Sequence, residues 1–177
     1  MQNPLFDRQH VKEYILFGTI AAILYMIPVL IFLSNHTYEN LYYLYIGCVL
    51  FAAAIFYYVY RLLYRRYTGK SAGSMLIAGE LATLSGVIIA CIFIIIAMFI
   101  TFPDLFASNS GSQVLEGGSA QPRKLLLMIL GTAIIGNVFL GSIISVVVSY
   151  AGKRDQTKDK PAPLETRIKP DQNPRVI

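Results

Sequence analysis

The run LLLMILGTAIIGNVFLGSIISVVVSY, residues 125–150, contains no charged residue, and Ala133, Asn137, Gly141, Ser145 and Ser149 recur in it at intervals of four. About 20 apolar residues in a helix cross a hydrocarbon core of roughly 30 Å, so the run is long enough to span a bilayer. Residues spaced by four share one side of a helix, which turns the small and polar positions into a stripe. Small side chains let a second backbone come close, and Ser and Asn can hydrogen-bond across the contact. The stretch therefore reads as a membrane span carrying a helix-packing face, widened by Gly131, Gly136 and Ser142.

Three more segments of this kind precede it, at about residues 14–33, 41–63 and 75–102. With 55% hydrophobic and 14% charged residues among 177, the chain is too apolar for an ordinary soluble domain. The expected fold is all-α, a polytopic membrane four-helix bundle over residues 14–152. A cytoplasmic interfacial arm (1–13) precedes it, and a disordered cytoplasmic tail (153–177) follows. The first span is read as retained rather than as a cleaved signal, because its apolar run exceeds a signal core and no A-x-A site follows it.

Lys and Arg set the orientation. The arm has Arg8 and Lys12; the loop after span two has Arg61, Arg65, Arg66 and Lys70; and seven more lie between Lys153 and Arg175. The opposite side has Arg123 and Lys124 alone. Cationic loops translocate poorly, which places both termini and the middle loop in the cytoplasm. The net charge of +5 is then a matter of topology and of anionic headgroups met by Arg61, Arg65, Arg66 and Lys70. No motif accompanies these charges that would point to nucleic acid.

In span two, Tyr42, Tyr43 and Tyr45 stand at one end and Tyr57, Tyr58 and Tyr60 at the other. The separation of the two groups is about 27 Å at 1.5 Å per residue, close to the hydrocarbon thickness. Tyrosine settles at the headgroup level, so these residues read as interfacial belts. Pro28 lies inside span one, where it removes a donor and is expected to kink the helix. In the arm, Asn3 and Pro4 form a cap and first-turn pair. The short hairpin SNHTYEN makes spans one and two antiparallel neighbours, and its Asn35 matches a glycosylation sequon. The outer loop 103–123 is long and rich in Gly and Ser, as a flexible connection would be. The tail mixes charges with prolines and lacks apolar periodicity, hence the expectation of disorder.

Chemistry-bearing residues are sparse. Cys48 and Cys91 sit in apolar runs, where cysteine acts as a small hydrophobe. His10 and His36 fall on opposite sides of the membrane and cannot share a metal. No nucleophile elbow, phosphate loop, dinucleotide fingerprint or zinc-protease helix occurs. The expectation is a protein that is not an enzyme and uses no cofactor or metal.

Glu80 is the exception. It enters span three beside a small-residue row, Ser74, Ala78, Ala82 and Gly86, which is the expected partner of the span-four stripe. A lipid-facing carboxylate at mid-membrane costs about 2.5 kcal/mol or more. A bond to Ser145 or Ser149, or contact with Lys70, would relieve it. The bland reading is an acid that polarises a helix contact; the alternative makes Glu80 and Asn137 an ion or proton site, lining a path between copies.

The four-span layout, the basic loop before span three and the ending ILGTAIIGNVFLGSIISVVVSYAGKRD together resemble small four-span bacterial membrane proteins of a family of unknown function. The likeness covers roughly residues 14–154 and implies fold and location, the bacterial inner membrane, with no activity attached. The function expected from the sequence is a structural, assembly or accessory subunit. It would act through helix packing, in a homo-oligomer or with a membrane-protein partner, or through its tail or outer loop. The alternative is a small oligomeric transporter or channel.

Overall fold

A computed structural model of the protein describes residues 8–34, 40–64, 72–103 and 122–158. The described residues form helices α1 (Arg8–Ser34), α2 (Tyr42–Tyr64), α3 (Ala72–Thr101), α4 (Pro122–Gly131) and α5 (Asn137–Lys158), with a π-helical segment, Thr132–Gly136, joining the last two. Asn3, Pro4, Asn35, Arg65, Arg66 and Lys70, most of the outer loop, and the tail beyond Lys158 lie outside the described residues. α1, α2, α3 and the continuous α4–π–α5 rod are each long and apolar enough to cross a membrane.

Two helix ends differ from the expected boundaries. α1 begins at Arg8, so the second half of the expected arm is one helix with the first span. α5 continues past Tyr150 to Lys158, into the segment expected to be tail. Extending an existing helix adds a hydrogen bond for each residue fixed, so polar residues can propagate a helix that an apolar span has already nucleated. Pro28 is buried within α1 and does not end it.

Each of the four rods runs opposite to the one before. Tyr14 and Phe17 pack on Tyr58, Tyr25 lies on Gly47, and Gly79 lies on Ser145. α1 packs chiefly on α2 and α3, and α5 packs on the same two helices, so α1 and α5 face each other across the bundle. α2 and α3, on the other diagonal, touch less extensively.

The large buried side chains are Tyr25, Phe32, Phe51, Ile55, Ile94, Met98, Leu125 and Ile129. Between them sit Ala21, Ala22, Ala82, Ala90 and Ala133, all fully covered, which keeps the rods close. The outward faces carry Val49, Ile88, Ile100, Ile135 and Phe139, each more than 60% exposed. A bundle in water would place polar groups there; in this one Thr83, Asn137, Ser145 and Ser149 are buried instead.

Candidate functional site

The α3–α5 contact is a seam built from two rows. All five stripe residues on the fourth span are buried, with Ala133, Asn137 and Ser145 at 0% exposure. The facing row on α3 is Gly79 and Thr83, one helical turn apart. Gly79 lies over Ser145, where an added Cβ would stand 2.9 Å from the serine Cβ, and Gly141 lies against the Thr83 side chain. This shifts the expected partner row by one position. Ala82 and Gly86 turn toward α1 instead: a Cβ on Gly18 would come within 2.8 Å of the Gly86 nitrogen and 3.0 Å of the Ala82 oxygen. Gly86 also receives the Phe51 ring from α2. Ala78 is buried at 2% exposure. The physical reason is that one helix wedged between two neighbours needs two small faces about 100° apart, which adjacent positions supply.

Most hydroxyls in the seam turn back onto their own helix. Thr83 donates to the Gly79 carbonyl at 2.9 Å, Ser145 to Gly141 at 2.8 Å and Thr132 to Met128 at 2.9 Å. Glu80 is half-buried and accepts from Ser142, Ser142 Oγ to Glu80 Oε2, at 3.0 Å. The expected partners were Ser145 and Ser149. Ser145 lies under Gly79 with its hydroxyl committed to Gly141, so the next residue on α3 meets Ser142 at the edge of the seam. Ser149 is buried, and its hydroxyl has no partner among the described residues. On the other side of α3, the single Ser85 hydroxyl proton is shared between the Tyr14 carbonyl at 3.0 Å and the Ala82 carbonyl at 2.9 Å, linking α1 to α3.

Further along the seam stands Asn137. Its side chain is fully buried, and neither its oxygen nor its nitrogen has a hydrogen-bond partner among the described residues. It follows directly on the π segment, and its backbone N–H points to the carbonyls of Ala133 and Ile134. Cys48 of α2 packs against Gly136 and donates its thiol to the Thr132 carbonyl at 3.9 Å. Gly131, counted by its composition as part of the packing face, meets no neighbour within 4 Å.

The π segment is the feature the sequence reading missed, and the stripe itself contained the signal. On an α-helix a four-residue step overshoots a turn by about 40°, so a long row at intervals of four spirals off its face. Leu125, Ile129, Ala133, Asn137, Gly141, Ser145 and Ser149 are all buried at that spacing. A wider π turn between Thr132 and Gly136 offsets part of the drift.

At the C-terminal end of α2, the three tyrosines Tyr57, Tyr58 and Tyr60, expected to form one belt, divide. Tyr57 and Tyr60 face outward at 59% and 44% exposure, while Tyr58 is in the core at 2%. It packs on Phe17 with ring centroids 4.8 Å apart. The Arg61 guanidinium sits over the Phe17 ring at 5.8 Å from its centroid, a cation–π contact beside Glu13 and Leu62. Among the described residues no group of His, Cys, Asp or Glu has the geometry to hold a metal ion.

Comparison with protein-family models, with curated proteins and with solved structures finds no match to the chain.

Proposed function

We propose that this protein is an integral membrane protein with both termini in the cytoplasm, serving as a non-enzymatic structural, assembly or accessory subunit. The observation that carries the reading is the inversion of polarity across the bundle: bulky aliphatic side chains outside, small and polar ones inside. Only an apolar solvent favours such an exterior over four successive rods. The Lys and Arg distribution supports the inward direction of the termini, and Arg61, Arg65, Arg66 and Lys70 meet anionic headgroups at that surface. The resemblance noted above favours a bacterial inner membrane.

The small-residue rows are used up within the chain, so a partner or second copy would meet a different surface. Span four is the natural one, because a smaller share of it is buried within the bundle than of the other three. Purification of native complexes in mild detergent should yield a defined homo-oligomer or a reproducible second membrane protein. A monomer with no enriched neighbour would refute the subunit reading.

A second reading, a small ion or proton transporter, draws on the bare Asn137 amide and on Glu80, which lie along one seam of one chain. A path would then follow the α3–α5 contact rather than a boundary between copies. Proteoliposomes should show cation or proton flux that Glu80→Gln reduces; absent or unaltered flux removes this alternative.

A further inference from the structure

The Asn137 amide and the Tyr25 hydroxyl are both buried at 0% exposure, and neither has a hydrogen-bond partner among the described residues. Bare polar groups are costly in any apolar interior and more so where the surroundings are hydrocarbon rather than water. The two belong to one layer of the bundle. The Tyr25 ring lies on Gly47, the next residue Cys48 lies on Gly136, and Asn137 follows Gly136. Side chains lean toward the N-terminus of their own helix. Because α1 and α5 run in opposite senses, Tyr25 and Asn137, which start from neighbouring levels, lean toward a common depth of the bundle. The layer coincides with the π segment, where the Thr132 carbonyl accepts from the Cys48 thiol. Such segments inside α-helices recur at functional sites.

We infer that this layer is an internal binding site for a small neutral hydrogen-bonding ligand, water, held by Asn137 and Tyr25. The donor set selects the ligand. Asn137 presents an acceptor and two donor hydrogens side by side, and the Tyr25 hydroxyl can do either. A cation would be served by the acceptors alone, and the nearest described acid on the seam, Glu80, bonds Ser142 about a turn and a half further along α5. An anion would meet the Asn137 oxygen and no basic residue in this layer. Water satisfies donors and acceptors together, as buried waters in proteins commonly do. The inference rests on the reading of the chain as a membrane bundle, holds whichever way the chain is inserted, and requires neither the subunit role nor the transport role.

The test uses the wild-type full chain in lipid bilayers. Solid-state NMR would measure magnetisation transfer from water to assigned side-chain protons. The expected result is transfer to the Asn137 amide that builds up faster than at the backbone amides of Leu140 and Ile144 on the same helix. Transfer that reaches Ser142 and the helix ends but leaves the Asn137 amide silent overturns the site. In a second arm, sodium and potassium are replaced by choline. Unchanged Asn137 shifts are expected, and shifts that move with the cation overturn the assignment to water.

Discussion

Gly141→Leu would drive a side chain into Thr83 Cγ2 and Oγ1, with which even an added Cβ would clash. Overpacking of this kind costs about 1–3 kcal/mol, and thermal unfolding in detergent should show a marked drop. Val147 is 59% exposed on the opposite face, so Val147→Phe should stay within about 0.5 kcal/mol of wild type. Ser145→Ala removes a hydroxyl bonded to its own helix, so its effect should fall below the figure of about 0.6 kcal/mol typical of intramembrane bonds. A tolerant Gly141 would show that the seam is not closed. At Glu80 the bond from Ser142 needs only an acceptor. Glu80→Gln keeps a carbonyl there and should preserve stability, whereas Glu80→Leu strands the serine and should lower it. Equal losses in both variants, read from the same melts, would mean that the charge rather than the bond is what the fold uses.

The fourth span behaves as two α-helices phased by a π turn. Deleting Ile135, which is 73% exposed, removes the extra residue that the π turn accommodates, so the rod should rewind as uninterrupted α-helix with its two halves in their present phase. Inserting one alanine after Ile135 adds a residue that the π turn does not accommodate, and relative to Asn137 and Gly141 the upper half would then turn by about 100°, the angle of one residue. Leu125 and Ile129, now at 1% and 0% exposure, would leave the core. The expected outcome is a large loss of thermal stability for the insertion and a small one for the deletion. If the insertion and the deletion melt alike, the π turn has no part in phasing the span. Much of this element was legible in the sequence: the stripe, its burial and its packing role follow from the spacing of Ala133, Asn137, Gly141, Ser145 and Ser149. The π turn was not read there, because periodicity shows which residues share a face without showing how the backbone is wound to keep them on it.

For the whole molecule, cysteine labelling from each side of the membrane, in a background lacking Cys48 and Cys91, should find positions 3, 68 and 158 cytoplasmic and positions 37 and 112 outside. Labelling of position 68 from outside would reverse the orientation. By itself the sequence determined four apolar helices, their boundaries to within a turn or so in the middle of the chain, and the stripe of span four. These are properties of composition and local period, and each segment expresses them alone. Tertiary structure decided which rows meet. It set Gly79 and Thr83 against α5, turned Ala82 and Gly86 to α1, gave Glu80 to Ser142, drew Tyr58 into the core, and buried Asn137 and Tyr25 with no hydrogen-bond partner among the described residues. A helix presents several small faces at once, and which of them is used depends on where its neighbours' axes lie. That is fixed by the packing of all four rods together, and no single segment encodes it.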